Sequence, residues 1–287
     1  GLLVAVTACG GGDPDVAGTT TVGPTTTAED HTDARVEAGL VYATRVETGV
    51  EVTLDIHVPA DPRDAPIVIG PYPDLVEQGM IVVTYYDREY HTGPEQIAVD
   101  RGFVRRMDEH VGCTIRFARA RASEVGNDDP TVVLSGFSIT SGAAAQVALF
   151  GDTLDARWDE FAAAGGPSRQ LDCTVTDGST DVDALIGIAG PYDLAVPIFD
   201  GEYGRAYQRE RDPEMQEFLA SAIGANPDLR IHFIHGTRDF IPVANTEEFV
   251  ALLRDAGYDV QLTTWDGGHD GPPVELLLSA LMEVLDR

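Results

Sequence analysis

The sequence predicts an α/β protein: a mostly parallel sheet of roughly eight strands with helices on both faces. Three observations predict it. Short, almost wholly apolar runs alternate with longer segments of helical period, and strands that are apolar on both sides are strands buried on both sides. The strand–helix–strand order recurs along residues 39–287 without an internal repeat, which requires right-handed crossovers over one sheet. The composition, 43% hydrophobic and 23% charged over 287 residues, is that of a globular chain long enough for one large core.

Each element follows from its residues. Residues 41–58 contain two stretches of partial apolar alternation broken at Thr48-Gly49, a hairpin signature. Residues 67–69 and 80–85 are apolar enough for buried strands. From 96 to 124, Ile97, Val104, Met107, Val111 and Ile115 recur at helical spacing, with arginines and acids on the other faces. Residues 131–134 form a buried strand that runs at once into a helix of small residues, 138–149. Residues 184–188 and 231–234 are two further strands, and 245–256 is a helix with Asn245 or Thr246 as its cap. A strand at 260–265 and an amphipathic helix at 274–285 close the pattern. Two stretches are less regular, 151–183 and 194–228; the second carries Tyr203, Tyr207 and a helix near 213–223. They either lie near the substrate, since pockets open beyond the C-terminal ends of such strands, or simply connect the core elements.

The formal net charge is −29, from 48 acidic and 19 basic residues, and every basic side chain other than histidine is arginine. Such a surface repels phosphate backbones and argues against nucleic-acid binding. It favours neutral or cationic substrates and helps expel a carboxylate product. No apolar run reaches the roughly 20 residues that cross a bilayer.

The N-terminal residues look like an address. An apolar stretch leads into Val6-Thr7-Ala8-Cys9, which resembles the bacterial lipobox, where small residues precede a cysteine that becomes lipidated. No basic region precedes it, so residues 1–9 are expected to be a truncated lipoprotein signal ending in Cys9. Residues 10–38, rich in glycine and threonine and without apolar periodicity, are expected to form a disordered tether to a domain at 39–287. The implied location is the cell envelope, on the outer face of a bacterial membrane, held only through the lipid at Cys9. The other cysteines, Cys113 and Cys173, are either a disulfide pair, as export would allow, or two buried thiols. Neither has a histidine at metal-ligand spacing, which leaves no zinc site.

Val132-Val133-Leu134-Ser135-Gly136-Phe137-Ser138-Ile139-Thr140 carries the chemistry. A strand enters a tight turn, Ser138 is at its tip, and an alanine-rich helix follows, so the hydroxyl projects outward and helix amides lie behind it. Ser141 is the alternative nucleophile. A serine hydroxyl needs a base. Among seven histidines, His269, in Asp266-Gly267-Gly268-His269-Asp270-Gly271 just past a strand, has the best context. His57 and His232 are in strands, His110 is in the long helix, His91 is in a polar loop and His31 is in the tether. An acid is expected between serine and histidine in chain order. His235-Gly236-Thr237-Arg238-Asp239-Phe240-Ile241-Pro242 follows a strand directly and supplies Asp239, with His235 a structural loop residue.

These segments resemble the α/β-hydrolase superfamily: the nucleophile elbow usually written G-x-S-x-G, the H-G-x-x-D-x-x-V-P acid segment, and the order Ser, Asp, His. Residues 100–126 and Gly190-Pro191-Tyr192-Asp193 also look like bacterial carboxylesterases of the dienelactone-hydrolase and feruloyl-esterase-like branches. The resemblance spans about residues 41–285. It implies hydrolysis of a small-molecule carboxylic ester through an acyl-enzyme, with no metal and no organic cofactor. Two departures stand out. Thr140 replaces the second glycine, where its branched side chain is expected to crowd the approach of strand and helix. In place of His-Gly, the loop after the third strand reads Gly70-Pro71-Tyr72. Proline donates no hydrogen bond, so the oxyanion would be received by the amides of Ile139 and of either Gly70 or Tyr72. The competing readings are a catalytically degenerate binding lipoprotein of the same fold, which these departures favour, and a peptidase of that fold, which would bring a propeller domain or an acidic pair for the peptide amine. Oligomeric state has no signature in the sequence.

Overall fold

The computed structural model describes residues 34–85, 101–192 and 213–286. Cys9, His31, His91, Tyr203, Tyr207 and the start of the helix predicted from residue 96 lie outside them.

The chain opens with an antiparallel hairpin of β1 (Arg35–Arg45) and β2 (Glu51–Val58). β1 begins inside the stretch assigned to the tether. Gly39, at φ 69°, lies beside an irregularity in the ladder that the strand absorbs. β3 (Ile67–Ile69) and β4 (Ile81–Tyr85) are joined by a 3₁₀ turn at Pro73–Gln78. Helix α1 (Arg101–Glu124) leads to β5 (Val132–Phe137), and α2 (Ile139–Phe150) and α3 (Leu154–Ala163) follow. Then come β6 (Leu171–Cys173), β7 (Ala184–Ile188), α4 (Pro213–Ala220), β8 (Arg230–Gly236), α5 (Val243–Asp255), β9 (Asp259–Trp265) and α6 (Val274–Asp286).

The nine strands among the described residues form one sheet in the order β6-β1-β2-β4-β3-β5-β7-β8-β9. β4, β3, β5, β7, β8 and β9 are parallel, while β2, β1 and β6 are attached antiparallel at one end. The sheet is therefore mixed and nine-stranded, not eight-stranded. Its two faces alternate residue by residue, as the pleat requires. Ile67, Ile69, Val132, Leu134, Leu185, Ile231 and Phe233 pack into one core with α1, α2 and α5. Val68, Val82, Val133, Ile186 and Ile234 pack into a second core with Leu277, Leu281 and Val284 of α6. Being apolar toward both layers, these strands lack the polar alternation of a half-exposed sheet.

The ninth strand, β6, comes from one of the stretches read as irregular, and α1 explains it. The charged residues of α1 are not confined to solvent: Arg105, Asp108, Glu109, His110 and Arg116 are buried. Arg105 donates to Glu109 at 2.7 Å, to Asp159 at 3.1 Å and to the carbonyls of Pro167 and Trp158. The other Glu109 oxygen accepts the amides of Gln170 and Leu171, both at 2.8 Å, which fixes the entry to β6. One helical turn on, Cys113 is joined to Cys173 with their Cα atoms 5.3 Å apart. A carboxylate and a disulfide on adjacent turns of α1 thus dock β6 against β1. Trp158 donates to Asp108 at 3.1 Å, and burial pushes that carboxyl well above the usual carboxylate range.

Candidate active site

β5 runs through the middle of the sheet and ends in the serine turn. Gly136 is obligatory there: a Cβ would lie 2.6 Å from Ser141 Cα and from the Thr140 carbonyl. Ser138 itself has φ 56° and ψ −131°, backbone space that a residue with a Cβ rarely occupies. Such a conformation costs about 1–3 kcal/mol and persists only where neighbours enforce it. The neighbour here is Ile188 of β7, whose carbonyl accepts Ser138 N–H at 2.9 Å. Its own amide donates to Ser141 Oγ at 2.9 Å, and that hydroxyl also meets Tyr192 OH at 2.7 Å. Ser141 is fully buried and its oxygen is engaged, so it ties α2 to β7 and does not face a substrate.

Thr140 does not crowd the elbow. Its hydroxyl turns back on the last residue of β5, donating to the Phe137 carbonyl at 2.7 Å and accepting Phe137 N–H at 3.1 Å. The close approaches that call for glycine lie at Gly142, where a Cβ would meet the Pro191 carbonyl at 3.0 Å, and at Gly190, where it would meet Ser141 Cβ at 2.7 Å.

Asp239 and His269 reach the serine from neighbouring loops. β8 and β9 pair in register up to Gly236 and Trp265, and the chains stay together beyond the sheet. Thr237 N–H donates to Trp265 O and Arg238 N–H to Gly267 O, both at 2.9 Å. A Cβ on Gly236 would collide with the Gly267 and Gly268 backbone, so glycine is what lets the loops run side by side. The Asp239 side chain is fully buried. Its Oδ1 accepts Ile241 N–H at 2.8 Å, and its oxygens lie 3.0 and 2.9 Å from His269 Nδ1. His269 Nε2 is 2.8 Å from Ser138 Oγ. With Nδ1–H donated to the carboxylate, Nε2 carries the lone pair and can accept the serine proton. The three predicted side chains, 131 residues apart at their extremes, therefore meet.

Four supporting residues escaped the sequence reading. Phe137 and Phe240 flank the imidazole, with ring centroids 4.9 and 4.3 Å from it. Thr246 and Asn245, expected to cap α5, lie one turn inside it, because Pro242 with φ −59° occupies the N-cap position. Thr246 donates to His235 Nδ1 at 2.7 Å, while His235 Nε2 donates to the Ile241 carbonyl at 2.9 Å. Burial depresses the basicity of His235, in keeping with a neutral ring locked under the acid loop. Asn245 Oδ1 accepts Tyr192 N–H at 3.1 Å. The only sequence clue to these roles was their closeness to the motif.

Of the two amides proposed for the loop after β3, Gly70 is spent on the sheet, donating to Val83 O at 3.0 Å. A backbone N–H already committed to a ladder cannot serve an oxyanion, so Gly70 drops out as a donor. Burial raises the Tyr72 phenol to about 12. Among the described residues no group of three or more His, Cys, Asp or Glu side chains could hold a metal ion, and no helix is long and apolar enough to cross a membrane.

No protein-family model and no curated protein matches the chain. Solved structures do. A bifunctional GH43-CE protein of Bacteroides eggerthii superposes with TM-score 0.61 at 18% identity, covering 88% of this chain, which spans only 38% of that larger protein. A truncated carbohydrate esterase from gut microbiota gives 0.60 at 17% identity over 90% of this chain and 99% of that one. Esterase 2 of the planctomycete Thermogutta terrifontis gives 0.56 at 19% identity over 90% and 91%. The same esterase phosphorylated by paraoxon gives 0.53. At such low identities the likeness is one of fold: a mixed α/β sheet with covering helices, shared with this group of esterases.

Proposed function

We propose that the chain is a serine hydrolase of the α/β-hydrolase superfamily that cleaves carboxylic esters through an acyl-enzyme, in the branch that includes dienelactone-hydrolase-like and feruloyl-esterase-like carboxylesterases. The observation that carries this reading is the hydrogen-bonded chain from Ser138 Oγ through His269 to buried Asp239, set on a strained strand-to-helix turn. In the proposed reaction Ser138 Oγ attacks the ester carbonyl as its proton passes to His269 Nε2. Asp239 holds the imidazole in the accepting tautomer and stabilises the imidazolium. The amides of Ile139 and Tyr72 receive the oxyanion. The tetrahedral adduct collapses as His269 returns the proton to the leaving alkoxide. Water, deprotonated by the same nitrogen, then hydrolyses the acyl-serine. The net charge of −29 favours neutral or cationic esters and release of the acid. Esterase neighbours, one of them phosphorylated by paraoxon, support the class. Turnover of p-nitrophenyl butyrate and labelling by a fluorophosphonate are the test. Both should disappear in Ser138→Ala, with turnover falling at least about a thousandfold; undiminished turnover would overturn the assignment.

We also infer that the protein is exported and held at the membrane by a lipid on Cys9, with the stretch before β1 as tether. The lipobox-like Val6-Thr7-Ala8-Cys9 and a disulfide suited to an oxidising compartment support this. Cys9→Ser should move the protein from the membrane fraction to the medium; unchanged partition speaks against the anchor.

A further inference from the structure

The end of β5 poses a backbone problem that the fold does not solve with another strand. β3 pairs with β5 only as far as Ile69 opposite Leu134, whereas on its other side β5 stays paired with β7 out to Phe137 opposite Ile188. Successive residues of a strand direct their amide and carbonyl to alternate sides. Ser138 N–H goes to Ile188 O on the β7 side, so the N–H and C=O of Phe137 face the side that β3 has already left. The Thr140 hydroxyl engages both groups, at 3.1 and 2.7 Å. One side chain does there what a further residue of β3 would do.

Ser138 also stands at the N-cap of α2, where a serine hydroxyl ordinarily bonds the amides of the first helical turn. It makes no such bond, because its oxygen is turned to His269. The junction thus gives up its usual cap in order to present the hydroxyl, and the anchorage comes from Thr140 on one side and Ile188 on the other. We propose that Thr140 is a positioning residue whose hydroxyl replaces the missing strand at the end of β5 and holds Ser138 Oγ on the imidazole. This rests on the reading of Ser138 as nucleophile, and it turns the departure from glycine into part of the working elbow.

The experiment compares Thr140→Val, which keeps the branched bulk without the hydroxyl, with Thr140→Ser, which keeps the hydroxyl, in the full chain. Three quantities are read: kcat and KM on p-nitrophenyl butyrate, the rate of fluorophosphonate labelling, and deuterium uptake by the segment 133–141. Thr140→Val should lower kcat between about tenfold and a hundredfold with KM nearly unchanged, as expected for a displaced nucleophile. Labelling should slow in parallel, and uptake around Phe137 should rise. Thr140→Ser should restore all three to within about threefold of the wild type. A valine variant that matches the serine variant in kcat and uptake overturns the proposal. Should the wild type neither turn over ester nor take the label, the esterase reading falls by itself. Uptake then decides for Thr140: faster exchange in the valine variant alone upholds the anchor, and equal exchange removes it.

Discussion

Replacing Asp239 by asparagine tests the site more sharply than truncation, because the structure dictates which way the new amide must turn. Asp239 Oδ1 accepts Ile241 N–H at 2.8 Å, and a backbone amide can only donate. The asparagine oxygen is therefore drawn to that position, which puts its NH₂ where Oδ2 now lies, 2.9 Å from His269 Nδ1. Nδ1 then faces this NH₂ at 2.9 Å and the asparagine oxygen, already taken by Ile241 N–H, at 3.0 Å, and the closer N–H opposes a proton on Nδ1. The imidazole relieves the clash by moving its proton to Nε2, the nitrogen 2.8 Å from Ser138 Oγ, which then has no lone pair for the serine proton. The imidazolium of the transition state also loses a fully buried counter-charge. Enforcing the wrong tautomer in this way should lower kcat about ten-thousandfold, or about 5.5 kcal/mol of barrier. Steady-state hydrolysis of p-nitrophenyl butyrate, with circular dichroism to show that the near-isosteric variant is folded, measures it. A folded variant within about tenfold of the wild type would refute the assigned role of Asp239.

Three further outcomes are expected. Cys113→Ser opens a loop with a sequence separation of 60 and should cost roughly 4 kcal/mol on the chain-entropy estimate, read by urea unfolding. Its kcat should not change, because β6 is five strands from β5, and equal stability with and without reductant would count against the cross-link. Arg105→Met leaves Glu109 without its cation in a site where burial already raises that carboxyl, and should destabilise the fold by about 3–5 kcal/mol. Adding Glu109→Gln, which removes the charge and keeps an oxygen for the Gln170 and Leu171 amides, should recover part of that loss, and a double variant no better than the single one contradicts the account. Burial lowers His235 below its ordinary 6.5, so the folded state binds fewer protons there than the unfolded chain. That contribution is complete above pH 6.5 and drains away as pH falls through the folded value. His235→Gln should therefore flatten the loss of melting temperature as pH falls below 6.5, and a slope equal to the wild type's would discount the buried ring.

What the sequence disclosed depended on how local its causes were. The strands around Ile67, Val133, Ile186 and Ile231 were legible because burial on both faces removes polar alternation from the chain itself. Ser138, Asp239 and His269 were legible because each follows such a strand within a few residues. β6 was not, since nothing within Leu171-Asp172-Cys173 favours a strand: its pairing is set by Glu109 and Cys113, some 60 residues away. The role of Thr140 is hidden for a related reason. Its bulk is visible in a sequence, while the unpaired edge of Phe137 that employs its hydroxyl exists only once β3 has stopped short. The Gly70 amide was unassignable until its ladder partner Val83 was known.

The shortness of β6 bears on how the molecule behaves at high concentration. An outermost strand with free amides and carbonyls invites a second polypeptide to extend the ladder, the route by which sheet proteins self-associate. Here that rim is three residues long, carries the exposed Asp172, and is fastened covalently at Cys173, so it offers an incoming chain few amides and a negative charge. A stapled, acidic rim of this kind discourages a wide sheet from growing at the β6 edge.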